Sequence, residues 1–375
     1  MTTRPTVDAL TRTLDEMLPE HLAEPWDNTG LLLGVRAEPV EKVLLCIDLT
    51  SAVVDEALER GCDAVVAYHP PIFEPLKSLT DERPGGGDLL ALARAGVAVH
   101  SPHTSADAAI GGVNDWLLDR LAATSGRAMH PSTSLPASER FKLVTFTPKG
   151  TEEAVRAAAA SAGAGRIGDY DHCSTEMPVT GRFRGGPGTS PVIGRPGRHE
   201  AVDEIRLELV CGSNELGDAL DAVRRAHPYE EPPIEIHELS ARPDPRVGTG
   251  RVATLDPGAT TVELVERLRT GLTGGRFAVH DPSPRRRHRL VGVCAGSGGS
   301  LLQDAIDRGC TVFVTGELKH HDVLAAAAAG CSVILAGHTN TERGWLKVLR
   351  RRLLKALPGL EVEVSRRDRD PLRHA

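Results

Sequence analysis

Two distant segments of the chain repeat the same pattern of helix and strand, and this repeat limits the folds that are open to it. Residues 57–69 have the sequence ALERGCDAVVAYH, and residues 305–317 have the sequence AIDRGCTVFVTGE. In both segments an amphipathic helix ends at a glycine and an apolar strand follows. Strands that alternate with helices indicate βαβ units, in which helices cover both faces of a mainly parallel sheet. The repeat therefore predicts an α/β fold with two pseudo-symmetric lobes.

A polar pentad is repeated in the same two halves of the chain. HTSAD (His103 to Asp107) and HTNTE (His338 to Glu342) both begin with His-Thr, end with a carboxylate and follow an apolar run. They are related by one offset, since 338 − 103 and 342 − 107 both equal 235. The first residue of each pentad is predicted to end a strand and the fifth to lie in the next helix. Because ligands bind beyond the carboxyl ends of strands in open α/β sheets, both pentads are candidates for one site.

The middle of the chain has a different pattern. A length of 375 residues exceeds that of a usual single core, so more than one domain is expected. After a linker that contains Ser and Pro, the residues from Phe141 to about Ser240 alternate as strand, helix, two strands, helix and strand, which predicts an inserted ferredoxin-like α+β domain. The predicted limits are 1–127 for the first half of the core, 128–244 for the inserted domain with its linkers, and 245–375 for the second half.

Composition excludes several classes of protein. Lys and Arg total 44 against 51 for Asp and Glu, and aromatic residues make up 3% of the chain, which disfavours a nucleic-acid partner. The seven cysteines are odd in number and form no CxxC pair, so they are predicted to be buried and reduced. No stretch approaches the ~18 uninterrupted apolar residues that a membrane span needs, and the amino terminus has no apolar signal segment. A cytoplasmic protein without a membrane partner is predicted.

Imidazole and carboxylate side chains follow several of the predicted strands. The candidates are Tyr68 and His69 in AYHPPIF, His103 and Asp107 in the first pentad, Glu317, His320 and His321 in TGELKHH, and His338 and Glu342 in the second pentad. Mixed imidazole and carboxylate ligands suit Zn, Mn, Fe or Ni. Two carboxylates can also bridge a pair of cations about 3.5–4 Å apart, an arrangement that activates water.

A structural interpretation of the same residues stays open. Asp107 and Glu342 would then stabilise helix amino termini, and the histidines would be hydrogen-bonded without a metal. For TGELKHH, the alternatives are groups that orient metal ligands or a solvated helix start. The repeat of the pentad, together with His69, favours the metal interpretation.

Five motifs occur along the chain in the order WDNTGLLLG, YHPPIF, SPHTSADAAIGGVNDWL, VTGELKHHD and GHTNTERGWL. Together they resemble the motifs of the Nif-three-like dinuclear metal-centre family, whose bacterial members are named type 2 GTP cyclohydrolase I homologs. They cover both halves of the core. The middle segment, with FRGGPGTSPVIG, EIRLEL and HPYEEPPIEIHEL, resembles the PII-like domain inserted in the longer members.

The resemblance implies a toroidal homohexamer of α/β subunits with two divalent metal ions per chain facing an internal cavity. By position, the residues that match the metal ligands of the family are His69, Asp107, His338 and Glu342. Tyr68 stands where many members have a second histidine, and a phenol is a poor ligand at neutral pH because its unperturbed pKa is near ~10. Either one metal is bound more weakly, or His103 replaces the missing ligand.

The residues and the resemblance together predict a metal-dependent hydrolase of nucleotide-like or phosphorylated small molecules. Asp107 and Glu342 would bridge two metals, and His69 and His338 would cap them. One alternative is a non-catalytic assembly for metal storage, metal delivery or regulation, with a PII-like sensing domain. Another is a scaffold that binds no metal.

Overall fold

The computed structural model describes residues 4–272 and 274–372, and the chain divides into two compact units. The core unit consists of Met1–Ser132 and Asp244–Ala375, and the inserted unit consists of Thr133–Pro243. The chain therefore leaves the core unit once and returns to it once. Across the described residues, no helix is both long and apolar enough to cross a membrane.

Helices and strands alternate in both halves of the core unit. The first half contains α1 (Val7–Met17), β1 (Gly30–Leu33), β2 (Lys42–Cys46), α2 (Ser51–Glu59), β3 (Ala64–Ala67), α3 (Gly86–Arg94), β4 (Ala98–Ser101), α4 (His103–Ala108), α5 (Val113–Leu121) and β5 (Thr124–Ser134).

The second half continues this alternation after the inserted unit. It contains β10 (Arg242–Ala259), α8 (Thr261–Gly271), β11 (Ala278–His280), β12 (His288–Ser297), α9 (Leu302–Asp307), β13 (Val312–Glu317), α10 (His320–Ala328), β14 (Ser332–Leu335), α11 (Asn340–Arg343), α12 (Leu346–Ala356) and β15 (Glu361–Val364).

Two sheets with the same internal order form the core unit. In the first, β1-β4-β3-β2-β15, the edge strand β1 is antiparallel to β4, and the other strands are parallel. In the second, β11-β14-β13-β12-β10-β5, the edge strand β11 is antiparallel to β14, and β14, β13 and β12 are parallel. Each half thus places an antiparallel edge strand beside three parallel strands in the same sequential order. The predicted pair of pseudo-symmetric α/β lobes is confirmed.

The repeated Arg-Gly-Cys phrase has a structural reason. Gly61 follows α2 with φ of 62°, and Gly309 follows α9 with φ of 82°. This left-handed conformation is common just after a helix and favours glycine. The next residue, Cys62 or Cys310, is buried as the chain turns into β3 or β13. The glycine therefore ends the helix and returns the chain to the sheet in both lobes.

The structure corrects two sequence predictions. The segment predicted as a linker before Phe141 includes β5, which lies at the edge of the second sheet beside β10. Pairing with this sheet and the complete burial of Met129 outweigh its Ser- and Pro-rich composition. The histidines of the pentads also lie beyond the strands instead of ending them, because His103 begins α4 and His338 lies in the turn before α11.

The inserted unit is a separate two-layer α+β fold. Its elements are β6 (Phe141–Pro148), α6 (Glu152–Ser161), β7 (Thr175–Arg184), β8 (His199–Cys211), α7 (Leu216–Ala226) and β9 (Ile234–Glu238). The sheet is antiparallel with the order β7-β8-β6-β9. This is the ferredoxin-like βαββαβ arrangement expected from the sequence, and kinship with PII-like domains stays a prediction.

A buried arginine joins the two halves of the core unit. The Arg251 side chain on β10 is 1% exposed, and its Nε donates to Oδ1 of Asp115 on α5 at 2.6 Å. Its terminal nitrogens donate to the backbone carbonyls of Ala108, Ala109, Gly248 and Gly250. A buried guanidinium is tolerated only when its donors are satisfied. Arg251 thereby fixes the segment between α4 and α5 to β10.

Replacing this arginine should destabilise the core unit strongly. Arg251→Met removes the guanidinium donors from the four carbonyls and from Oδ1 of Asp115, and we expect the free energy of unfolding to fall by roughly 3–5 kcal/mol. Arg246→Met is a matched control on the same strand, because Arg246 is exposed and forms a surface ion pair with Asp244, two residues away. The control should cost less than about 1 kcal/mol. Urea denaturation of both variants measures the difference, and equal losses would contradict this role of Arg251.

Candidate metal centre

Three side chains of the core unit converge on one point. His69, His338 and Glu342 each offer one ligand atom, and these atoms all lie within 4.8 Å of one another. Nε2 of His69 lies 3.7 Å from Oε2 of Glu342, and Nε2 of His338 lies 3.4 Å from Oε1 of the same carboxylate. Two imidazoles therefore face the two oxygens of one carboxylate, as in a candidate three-residue metal site.

The strand ends position this group. His69 follows β3 in the first sheet, whereas His338 and Glu342 follow β14 in the second. Gly296, near the end of β12, makes room for them: a Cβ on this residue would lie 2.6 Å from Oε1 of Glu342 and 3.2 Å from Nε2 of His338. Its φ of 64° also favours glycine. A larger residue at this position would push into the space between the candidate ligands.

The surroundings of Glu342 fit a bound cation. This residue is only 2% exposed, and its Oε2 has no hydrogen-bond partner among the described residues. A buried carboxylate oxygen without a partner is costly, so such groups are usually paired or bound to a metal. Glu342 lies in α11, whose N-cap residue makes no side-chain capping bond. The geometry thus favours a ligand role over the helix-cap alternative.

Each candidate imidazole is held from its far side by a carboxylate. Nδ1 of His69 lies 2.8 Å from Oδ1 of Asp48, and Nδ1 of His338 lies 3.1 Å from Oε1 of Glu317. This contact leaves Nε2 as the nitrogen that faces the cluster, which is how metal-binding histidines are usually oriented. Burial disfavours the charged His69 ring, but the hydrogen bond to Asp48 and the negative charges of Glu342 and Asp48 outweigh burial and raise its pKa to about 10. A cation would therefore displace a proton, so its affinity should rise with pH.

Asp107 faces the same region through Tyr68. The hydroxyl of the buried Tyr68 donates to Oδ1 of Asp107 at 2.6 Å. Burial and then the nearby charges of Asp107 and Glu342 raise the pKa of Tyr68 well above its usual value, so the phenol keeps its proton. Burial also raises the pKa of Asp107 to about 7, against the opposing effect of the Tyr68 hydrogen bond. Asp107 thus lies beside the three-residue group, with one oxygen engaged by Tyr68.

The other predicted histidines lie at different distances from the three-residue group. Nδ1 of His103 lies 2.7 Å from Oδ1 of Asp27, and the ring centroid of His103 lies 5.4 Å from that of His69. His103 is therefore close to the cluster, and its Nε2 is the nitrogen left for a ligand. His320 and His321 lie exposed at the start of α10, with their ring centroids 5.9 Å apart. The structure brings His103 towards the site but leaves His321 on the surface.

A cavity of about 450 Å³ lies at this group. Its walls include Trp26, Tyr68, His69, His103, Asp107, Asn114, Gly296, His338 and Glu342. The volume suits a small organic molecule. The candidate ligands therefore border a space in which a substrate and a metal could meet.

Sequence reasoning missed two carboxylates at this site. Asp48 follows β2 in VLLCIDL, and the strand-end rule that identified His69 could have found it. Asp27 in WDNTG precedes β1 on an irregular segment, and it accepts from the backbone N–H of Thr104 as well as contacting His103. No spacing in the sequence connects Asp27 with a residue 76 positions away.

A comparison with protein-family models decides the family. The model described as Duf34/NIF3 (NGG1p interacting factor 3) matches residues 5–371. The chain belongs to the Duf34/NIF3 family. The resemblance noted in the sequence is thereby confirmed.

Relatives of this Duf34/NIF3 chain are similar over most of their length. The GTP cyclohydrolase 1 type 2 homolog of Bacillus subtilis is 34% identical over 326 residues, covering 86% of both chains. That of Mycobacterium tuberculosis is 35% identical over 354 residues, covering 92% of this chain and 91% of the relative. NIF3-like protein 1 of Mus musculus is 34% identical over 374 residues, covering 97% and 92%.

Solved structures agree with the α/β fold. A Bacillus cereus protein related to NIF3 is 29% identical, with a TM-score of 0.77 and coverage of 100% of both chains. A Staphylococcus aureus protein is 24% identical, with a TM-score of 0.81 and the same coverage. This second similarity concerns the fold and not the function.

The carboxylate behind His69 yields a prediction about metal affinity. Asp48→Asn removes the charge that orients the ring, and we expect the affinity for Zn²⁺ to fall about 10–100-fold. Asp55→Asn is the control, because Asp55 is an exposed carboxylate on the neighbouring helix α2. Competition titrations against a chromophoric chelator compare both variants with the wild type. An unchanged affinity in Asp48→Asn would exclude an orienting role for Asp48.

Proposed function

We propose that this Duf34/NIF3 protein uses divalent metal ions at His69, His338 and Glu342 to hydrolyse nucleotide-like or phosphorylated small molecules. The observation that supports the proposal is the buried Oε2 of Glu342, which faces Nε2 of His69 and has no hydrogen-bond partner within residues 4–272 and 274–372. The nitrogen and oxygen donors suit Zn, Mn, Fe or Ni. The bacterial relatives named GTP cyclohydrolase 1 type 2 homolog agree with a nucleotide-like substrate.

A divalent ion bound at this group would lower the pKa of a coordinated water and polarise the scissile bond. The residues of the chain have separate tasks around it. His69 and His338 present Nε2, and Asp48 and Glu317 hold those rings from behind. Glu342 offers two oxygens from a buried position, so it is the residue best placed to serve more than one ion.

We propose two ions per chain, bound with unequal affinity. The three-residue group supplies the ligands of the first. The second would use Asp107, which has one oxygen occupied by the Tyr68 hydroxyl. Because Tyr68 retains its proton, it adds no anionic ligand. His103 is near enough to act as a further ligand, and whether it does so determines how weakly the second ion binds.

Substitution of Tyr68 tests this inequality. Wild-type protein is expected to bind about one Mn²⁺ tightly and a second at least tenfold more weakly, since the second ion has fewer nitrogen ligands. Tyr68→His should supply an imidazole and bring the second affinity close to the first. Tyr68→Phe is the control, because it frees Asp107 without adding a ligand. Elemental analysis with calorimetric titration measures both ions, and two equally tight ions in the wild type would contradict the proposal.

An aromatic wall supports a planar substrate group. The Trp26 side chain is 60% exposed and lines the cavity. Its ring centroid lies 6.0 Å from that of Phe73, which is also exposed, and 6.1 Å from that of His103. Exposed aromatic faces can stack on a planar base. A nucleobase against Trp26 would place the rest of a nucleotide within the same cavity.

Turnover decides between catalysis and metal storage. Protein loaded with Mn²⁺ or Zn²⁺ is incubated with GTP or p-nitrophenyl phosphate, and products are separated by chromatography. We expect metal-dependent turnover that falls by at least about 100-fold in His338→Ala, because a ligand of the metal is lost. His321→Ala is the control, since His321 is exposed at the start of α10. If the wild-type protein keeps its metal but hydrolyses neither substrate, the hydrolase proposal is refuted and storage or delivery is favoured.

The family resemblance also supports a homohexamer, and composition supports a cytoplasmic location. Both stay predictions. A small-molecule ligand is the partner for which the cavity offers room.

A further inference from the structure

The inserted unit has one sheet face that its helices do not cover. Leu207 and Leu209 on β8 pack with residues of α6 and α7, so the odd-numbered positions of β8 face the helices. Side chains alternate along a strand, so Glu204 and Arg206 lie on the opposite face. Phe146 is paired with Arg206 in the register between β6 and β8, and it shares that face. A two-layer fold of this kind normally leaves such a face to solvent.

This face forms the floor of a cavity. The segment between β7 and β8 and the segment between α7 and β9 form its sides, and the volume of this half-open cavity is about 410 Å³. The backbone N–H of Ser190 in the first segment donates to the carboxylate of Glu230 in the second, at 3.2 and 3.3 Å. That contact joins the two segments. The cavity is therefore a built feature of the inserted unit and separate from the candidate metal centre.

A buried carboxylate lies in the cavity wall. Glu204 is 7% exposed, and its Oε1 accepts from the Tyr229 hydroxyl at 2.6 Å. Gly181 on β7 leaves the room that the carboxylate needs, since a Cβ there would lie 2.1 Å from Oε2 of Glu204. Burial and then the hydrogen bond to Glu204 raise the pKa of Tyr229 above its usual value. Tyr229 thus keeps its proton and donates, and Glu204 accepts.

The remaining walls combine aromatic rings with negative charge. Phe146, Phe183 and Tyr229 line the cavity, and the ring centroids of Phe183 and Tyr229 lie 6.5 Å apart. The charged lining residues are the carboxylates of Glu204, Glu230 and Glu231 and the guanidinium of Arg182. Aromatic faces and carboxylates both attract cations, and the rings also accommodate an apolar body. An anion would instead meet three carboxylates against the guanidinium of Arg182, because Arg206 on the same face is already paired with Glu208 at 2.8 Å.

We propose that this cavity binds a small organic cation, an amine with an apolar or aromatic body, whose ammonium group contacts Glu204 and whose body packs against Phe146, Phe183 and Tyr229. The site goes beyond the proposed hydrolase and does not depend on it. A hydrated metal ion would gain little from the aromatic walls, whereas an organic ammonium uses both kinds of wall. The inserted unit is then a ligand-binding unit for amines.

The test uses the full chain and three probes of similar shape. Calorimetric titrations compare 2-phenylethylamine, which is a cation at neutral pH, with the neutral 2-phenylethanol and the anionic 3-phenylpropionate. We expect one amine to bind per chain, with an affinity at least about tenfold above that of the alcohol. The alcohol has no ammonium group, so it cannot form the charge-assisted hydrogen bond to the buried carboxylate. The anion should show no binding. Equal affinity for amine and alcohol, tighter binding of the anion, or no binding of the amine would each overturn the proposal.

Variants locate the binding. Glu204→Gln keeps the shape of the side chain and should weaken amine binding at least about tenfold while leaving alcohol binding unchanged. Glu176→Gln is the matched control, because Glu176 is an exposed carboxylate on β7 outside the cavity lining. Circular dichroism verifies that both variants fold. Phe183→Ala provides a second variant, which should weaken the amine and the alcohol alike. Full amine affinity in both Glu204→Gln and Phe183→Ala would contradict the assigned site.

Discussion

The buried Arg251 is the contact on which the geometry of the core unit depends. It extends from β10 in the second half and binds carbonyls at the end of α4 in the first half. Asp107 directly precedes one of those carbonyls, so the guanidinium fixes the distance from Asp107 to the second sheet. Neither half contains a complete site, because His69 comes from one sheet and His338 with Glu342 from the other. The candidate ligands therefore come together only where the two halves are joined.

The charges at this site explain how several carboxylates can lie close together in the folded chain. Glu342, Asp48 and Asp107 lie in or beside one cavity. If all three carboxylates were ionised with no positive charge nearby, their mutual repulsion in this poorly solvated space would be large. The raised pKa of His69 favours a positively charged ring between Asp48 and Glu342. The raised pKa of Asp107 lessens the negative charge of that carboxyl near neutral pH. Both shifts lessen the repulsion among the carboxylates, and a bound cation would take over this role when it displaces the His69 proton.

The sequence was sufficient for the features that repeat. The Arg-Gly-Cys phrase and the two pentads identified the α/β lobes, and the strand-end rule selected His69, His338 and Glu342, which the structure brings together. It was insufficient where composition and pairing disagree: β5 has the residues of a linker but becomes a strand because β10 offers an edge. It was also insufficient for contacts between distant loops. The pairing of Asp27 with His103 and of Tyr68 with Asp107 depends on side-chain directions that no periodicity records.

The inserted unit interrupts the core unit between two strands that are neighbours in the same sheet, β5 and β10. Gly248 is in close contact with the carbonyl of His130, where a Cβ would lie 1.9 Å away, so the outgoing and returning segments touch before the inserted unit begins. An insertion with adjacent ends demands no rearrangement of the sheet that receives it. The core could therefore lose these residues in exchange for a short connecting loop, or accept a different module in their place. The candidate metal centre and the cavity of the inserted unit can accordingly change independently in evolution, because they belong to different units of one chain.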